Sequence, residues 1–485
     1  MQKSIKVNMI LNGIKGLLSV LFPLITFPYI SKVLGVENIG KYNFSSSIIS
    51  YFVLLAGLGI NTYAIREGAR IRDDEEKLNK LCKEIFTINI ISTLLSYLLL
   101  LILLFVVPKF HDYTVLILIL SLQIIFTTFG IEWIYSINED YKFITIRSII
   151  FQLLALILMF IFVHSKNDIY IYAIITIIAS VGANIVNFFY SKKYCKISLT
   201  KKFNLKKHIK PIMVLFATTV AITIYVNSDI TILGFFKGDY HVGIYSVSTK
   251  IYTIIKSLLA SIIIVSIPRF SALLSQNKKE EFKSMAEDIY KTLLTVIIPA
   301  IIGIIILRKE IIFIIADPSY LQATTSLSIL SITIYFCLGA YFFGQAMLVP
   351  FKKENKVLKI TIISALANII LNLIFIPIWN EIAAALTTLI SEFIAFIYCR
   401  HEVKKIIKLE SFTKIFVKCL IGCIPIVLIN FVIKKLISNL LLSTIIIVVL
   451  SIICYAIVEI LVKNEIVLYY LNRLKNKLKY KKWTN

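Results

Sequence analysis

The chain has 485 residues, 58% of them hydrophobic and only 16% charged, whereas a soluble protein carries about 25% charge. Its net charge of +25 would point to nucleic acid in a soluble protein. Here the basic residues cluster in short loops between apolar runs of about 20 residues, the length that crosses a bilayer as a helix. A β-barrel would show short alternating segments instead, so the chain reads as an all-α polytopic membrane protein with no nucleic-acid partner.

Fourteen transmembrane helices are predicted, at roughly 8–30, 39–63, 83–107, 113–136, 143–164, 168–190, 211–236, 242–267, 288–307, 323–349, 357–379, 382–399, 412–433 and 439–462. Lys3 and Lys6 precede the first run, which passes Pro23 and Pro28 with no small-residue cleavage site. It reads as an uncleaved span, not a signal peptide. Within it Asn8, Asn12, Lys15, Ser19 and Thr26 make one narrow polar stripe. In span two, Asn43, Ser46, Ser47, Ser50, Gly57 and Asn61 share a face. Glu132 lies near the end of span four, and Asp229 sits inside span seven in "YVNSDITILGFF". In span eight, Ser246, Thr249, Lys250, Thr253, Lys256 and Ser257 fall within an arc of roughly 120°, opposite Val247, Ile251, Ile254, Ile255, Leu258 and Ile262. Glu392 is in span twelve and Glu459 in span fourteen.

Polar stripes on spanning helices face a bundle interior or a water-filled cavity, and an ionisable residue there marks function by default. Lys15, Lys250 and Lys256 are therefore assigned to a cavity. Lys41 and Lys291 read as snorkelling to the interface, and the hydroxyls also read as helix-packing contacts. Asp229 either pairs with a lysine of span eight or is a cation- or proton-coupling site.

Of the 52 basic residues, 38 fall at the two termini and in the loops after even-numbered spans, against eight in the other loops. That excess places both termini in the cytoplasm. Loops are short throughout, and the basic linker at 191–210 divides the chain near its middle. The seven cysteines form no CxxC pair and read as buried free thiols. The five histidines show no metal-ligand spacing, and there is no GxxxxGK[ST] loop, so no cofactor is called for.

Two stretches repeat. "VLGVENIGKYNFSSSIIS" (33–50) and "ILGFFKGDYHVGIYSVSTKI" (232–251) both give Leu-Gly, a short gap, then Gly-x-Tyr and a hydroxyl-rich helix. Tyr42 matches Tyr245, Ser45 matches Ser248, and Ser50 matches Thr253. An offset of six spans preserves orientation, the parallel-repeat pattern with a pseudo-twofold axis along the membrane normal. The expected organisation is a six-helix lobe at 1–200, a second at 201–405, and two extra helices with a basic tail at 406–485, with binding between the lobes.

Four stretches in order, 23–74, 130–153, 227–251 and 363–392, resemble the polysaccharide-transport family, the Wzx-type flippases of O-antigen and capsule repeat units. These belong to the multidrug/oligosaccharidyl-lipid/polysaccharide exporter superfamily. The resemblance covers about the first 400 residues. It implies a polyprenyl-pyrophosphate-linked oligosaccharide, on an undecaprenyl carrier, moved from the cytoplasmic to the outer leaflet of a bacterial inner membrane. It also implies alternating access, a cationic cavity, contact with membrane lipid, and a polysaccharide polymerase as a downstream partner. Carried over by position, Lys15, Lys250, Arg66 in "AIREGAR" and Arg147 in "KFITIRS" are candidate substrate-binding cations. Lys256, Asn12, Asn61 and Thr253 join them from the polar stripes. One departure stands out: "PIWNEIAAAL" has Asn380-Glu381 where the family usually has a glycine.

A pyrophosphate head cannot cross hydrocarbon unaided, so lysines would offset its charge while hydroxyls and asparagines hydrogen-bond sugar. Proton or sodium coupling through Asp229 or Glu392, or consumption of the flipped product, would supply the energy. The alternatives in the same superfamily are a lipid II flippase and a multidrug cation exporter; the latter would want an acidic cavity. A glycan polymerase or ligase would need a large outer loop, and the longest here, at 308–322, is about fifteen residues. No enzymatic activity is expected.

Overall fold

A computed structural model describes residues 5–201 and 205–482, excluding the side chains of 5–12, 14, 15, 17–20, 205, 206, 218 and 474–482. Among the described residues the secondary structure is helical, without strands. Backbone N–H and C=O groups find no water in hydrocarbon, so apolar spans must satisfy them internally, as helices do.

Among the described residues, twelve helices are long and apolar enough to cross a membrane. Two of them contain a break. Helix α1 (Ile5–Gly57) is non-helical at Gly35, with φ 76° and ψ 175°. A later helix, Glu354–Lys404, is broken at Trp379 and Asn380, the latter at φ 52° and ψ −133°. These breaks fall where the sequence predicts the loops after spans one and eleven. The two connections are breaks of one or two residues inside a long helix rather than loops, and twelve helices stand among the described residues where fourteen spans are predicted.

The chain divides into two compact units. The first comprises 1–246 and 372–381. Here α1 is followed by α2 (Ile60–Arg70), α3 (Glu75–Val106), α4 (Thr114–Gly130), α5 (Glu132–Ile137) and α6 (Tyr141–Phe162). Then come α7 (Ile169–Ile177), a π-helical turn, α8 (Ala183–Tyr190) and α9 (Leu205–Lys237). Helix α1 is central and packs on α3, α4, α6 and α9. Its end is fixed by polar contacts: the Ala56 carbonyl, freed where the helix stops, accepts from Asn89 Nδ2 at 2.8 Å and Ser92 Oγ at 2.6 Å. Asn43, Ser47 and Ser50 donate back to carbonyls of their own helix, a common way for such residues to be satisfied on a membrane helix.

The matched glycines of the repeat meet in this unit. A Cβ on Gly40 would strike the Asp239 carbonyl, and one on Gly243 would strike the Val36 carbonyl. The Gly-x-Tyr glycines are small because two backbones cross there in contact.

The second unit comprises 247–371 and 382–485. It takes in most of α10 (Asp239–Ser275), then α11 (Lys279–Ile306), α12 (Arg308–Ile315), α13 (Ala323–Tyr341) and both ends of α14 (Glu354–Lys404). It closes with α15 (Thr413–Gly422), α16 (Ile424–Leu436), α17 (Leu440–Leu461) and α18 (Glu465–Lys482). Tyr290, Phe342, Phe343 and Phe412 pack as an aromatic cluster between α11 and its neighbours. Lys291 forms ion pairs with Glu465 at 3.0 Å and with Glu410. Its burial therefore reflects two carboxylate partners rather than snorkelling alone.

Large apolar side chains stay exposed along the outward faces, among them Leu94, Leu98 and Phe105 on α3, Phe431 on α16 and Ile452 on α17. Contiguous exposure on that scale is a lipid-facing surface, not a soluble one. The protein is a multi-pass membrane protein. Its seven cysteines are free thiols, five of them buried.

Candidate functional site

Charge inside a membrane is expensive, so each buried ionisable group should show how it is accommodated. Three clusters emerge, two in the first unit and one in the second.

Asp229 on α9 is buried. Its carboxylate accepts from Tyr245 Oη at 2.9 Å and from Asn372 Nδ2 at 2.6 Å. Two residues further along α9, Thr231 donates to Ser47 Oγ at 3.0 Å and meets Tyr51 Oη at 3.1 Å. Tyr245 is the repeat tyrosine, so the motif residue singled out in the sequence holds the acid singled out in the sequence. Both donors are neutral side chains, which satisfy a buried carboxylate's acceptor capacity in part.

The second cluster was not visible in the sequence. Tyr63 Oη lies 2.7 Å from His208 Nδ1, and His208 Nε2 lies 2.9 Å from Glu84 Oε2, with His208 and Glu84 both buried. Tyr63, Glu84 and His208 come from α2, α3 and α9 and tie those helices together. The sequence signal was a carboxylate just inside an apolar run and a histidine at the end of the basic linker, just before another. A similar contact joins His241 Nδ1 to Glu381 Oε2 at 2.6 Å. Glu381 follows Asn380, so the position that departs from the family glycine carries a buried acid with its own partner.

The third cluster lies in the second unit. Lys256 on α10 places Nζ 5.0 Å from the Tyr252 ring centroid. Cys337 on α13 is flanked by Tyr252 and Glu392 and lies close enough to Lys256 to feel its charge. Two residues the sequence assigned separately, Lys256 to substrate and Glu392 to coupling, therefore share one neighbourhood. Lys250 is half-buried on the same helix, about 9 Å along its axis, and Thr253 between them is exposed. Val247 and Ile251, on the opposite side of α10, are buried, whereas Leu258 on that side is exposed and Ser246 of the polar arc is buried.

The remaining sequence candidates are dispersed. The side chains of Lys15 and Asn12 lie outside the described residues. Asn61 and Arg66 are exposed on α2; Arg66 pairs with Glu67 at 3.1 Å and sits over the Tyr63 ring, 5.8 Å from its centroid. Arg147 on α6 is buried and pairs with Glu132 at 2.5 Å.

Comparison with known proteins follows the same lines. The family model described as polysaccharide biosynthesis protein matches residues 5–274, and the MatE model matches 211–374. A protein of Escherichia coli (strain K12) named as an O-antigen transporter is 26% identical over 376 residues, covering 77% of this chain and 90% of that protein. The capsular polysaccharide biosynthesis protein CapF of Staphylococcus aureus is 26% identical over 385 residues, covering 76% and 92%. Among solved structures, the lipid II flippase MurJ in an inward closed conformation superposes with a TM-score of 0.75 at 20% identity, over 95% of this chain and 99% of that one. The last likeness fixes the fold alone. With more than half of its length matched by the family model, this chain belongs to the polysaccharide biosynthesis protein family.

Proposed function

We propose that this protein is a flippase, moving a polyprenyl-pyrophosphate-linked oligosaccharide repeat unit from the cytoplasmic to the outer leaflet by alternating access, in the synthesis of capsule, O-antigen or another exopolysaccharide. The observation that carries this reading is a membrane-spanning helix, α10, bearing two half-buried lysines, in a chain of this family. The relatives named for O-antigen transport and for capsular polysaccharide span most of the chain. No bond is made or broken. The apolar tail stays in lipid, and the protein supplies a polar route for the head.

Lys250 and Lys256 are the charge-bearing residues of that route, with Lys15 and Arg66 as further cations and Asn12, Asn61 and Thr253 as hydrogen-bonding partners for sugar. Glu392, a buried acid of the second unit, is one coupling-ion candidate. Asp229, a buried acid hydrogen-bonded by Tyr245 and Asn372, is the other coupling-ion candidate, for a proton or a sodium ion. The undecaprenyl carrier, a polymerase that consumes the flipped unit, and the bacterial inner membrane complete the proposal. So do fourteen crossings, each broken helix passing twice, with both termini cytoplasmic and lobes at 1–200 and 201–405 followed by the 406–485 pair.

Complementation tests the assignment. Loss of the gene should abolish surface glycan and trap lipid-linked units inside the cell. Wild-type chain should restore export, while Lys15→Ala and Lys250→Ala should each restore it poorly. Full rescue by both variants removes the site assignment.

A further inference from the structure

Beside the acids and lysines above, one basic group is left conspicuously unsatisfied. Arg147 is buried, its side chain only 5% exposed. Its Nη2 reaches Glu132, but Nε and Nη1 are buried with no hydrogen-bond partner. A buried unmade hydrogen bond to a charged donor is costly and calls for an acceptor.

The guanidinium lines a cavity of about 410 Å³. Lys142 and Tyr190 share the lining, as does Asp140. The Asp140 carboxylate is held against the tyrosines, accepting from Tyr194 Oη at 2.6 Å and Tyr190 Oη at 3.5 Å. The rest of the wall is apolar, and it opens outward: Ile146, Ile150 and Val186 are 45%, 56% and 42% exposed. Exposed Leu153, Ile157 and Ile161 continue the strip along α6. The same end of these helices carries Lys142, Lys192 and Lys193. Cationic at one end and greasy along the other, the cavity has the shape of a lipid headgroup site at the membrane boundary.

We propose that this pocket on α6 and α8 binds the phosphate of a membrane phospholipid, with Arg147 Nε and Nη1 donating to phosphate oxygens, Lys142 adding charge at the rim, and an acyl chain lying along Ile146 and Ile150. A guanidinium fork matches phosphate geometry: the two unfilled Arg147 donors meet two oxygens of a phosphodiester, and Lys142 supplies the positive charge that the Arg147–Glu132 pair does not. A free phosphate ion would leave the outward apolar wall unused. The site is separate from the α10 lysines and does not depend on what the protein transports.

The test uses the purified full chain in detergent. Native mass spectrometry and thermal unfolding are followed on adding dioleoyl-phosphatidylglycerol, dioleoylglycerol or inorganic phosphate. Removing Arg147 alone would strand Glu132, so the informative variants are Arg147→Gln with Glu132→Gln, Glu132→Gln alone, and Lys142→Gln. The wild type and Glu132→Gln should each retain phosphatidylglycerol and gain thermal stability from it, with little response to dioleoylglycerol or inorganic phosphate. The double variant should lose affinity about tenfold or more, and Lys142→Gln should lose less. Equal retention by the double variant, an equal response to dioleoylglycerol, or an equal response to inorganic phosphate would each overturn the proposal.

Discussion

At the scale of single residues, the polar groups buried in this protein are accommodated in pairs and chains, and those pairings make quantitative expectations. Glu84 accepts from His208, which in turn contacts Tyr63. Glu84→Ala leaves a buried imidazole without its partner and should cost about 1–3 kcal/mol, read as a lower unfolding temperature in detergent; Tyr63→Phe should cost less, since one contact remains. Asn380 carries the opposite kind of signal. Its φ of 52° lies where glycine is at ease and other residues are strained. Asn380→Gly should therefore stabilise the protein by about 1 kcal/mol, and Asn380→Leu should destabilise it. With ψ at −133° the residue lies outside the left-handed helical region that asparagine tolerates, and this conformation explains the glycine the family usually places near here.

At the scale of elements, helix crossings and helix ends decide the outcome. Gly243 lies against the Val36 carbonyl, whereas a Cβ on Gly303 of α11 would meet nothing within 4 Å. Gly303→Ala should be neutral or slightly stabilising, because alanine is the better helix former. Gly243→Ala should destabilise by about 1–3 kcal/mol through overpacking against backbone that cannot move aside. A thermal-unfolding series in detergent separates the two. At the start of α18, outside the spanning helices, the Lys291 ammonium hydrogen-bonds Glu465 and holds its carboxyl below the ordinary value. A depressed folded-state pKa contributes stability above the unfolded value of about 4.3 and loses it as pH falls through the folded one. Glu465→Gln should thus lower stability modestly at neutral pH and flatten the acid limb of a stability–pH curve, the loss staying small because the Glu465 side chain is 71% exposed.

The spans themselves were legible because bilayer thickness imposes a run length that any sequence must display. The breaks at Gly35 and Asn380 were legible as positions but not as turns within helices, since apolar periodicity does not report a single residue's φ. Partners were harder still. Glu132 and Arg147 were each noticed, yet their contact and the unfilled donors beside it depend on how α5 meets α6. Lys256 and Glu392 come from distant parts of the chain, and nothing local in either segment announces the other. The glycine repeat was the exception: a residue type chosen for contact shows in the sequence even when its partner does not.

For the whole molecule, the account holds that the lysines of α10 receive the anionic head of a lipid-linked glycan during its passage. Each charge-assisted contact to phosphate contributes about 1.5–3 kcal/mol, so losing both should slow transfer by about a hundredfold or more, by the relation of free energy to rate. The direct measurement is the rate at which a polyprenyl-pyrophosphate oligosaccharide becomes accessible to a glycan-cleaving enzyme outside proteoliposomes of the purified protein. The account predicts fast appearance with the wild type, near-background appearance with Lys250→Ala, Lys256→Ala together, and normal folding of that variant by thermal unfolding. A well-folded double variant that transfers the lipid-linked glycan at the wild-type rate would contradict it.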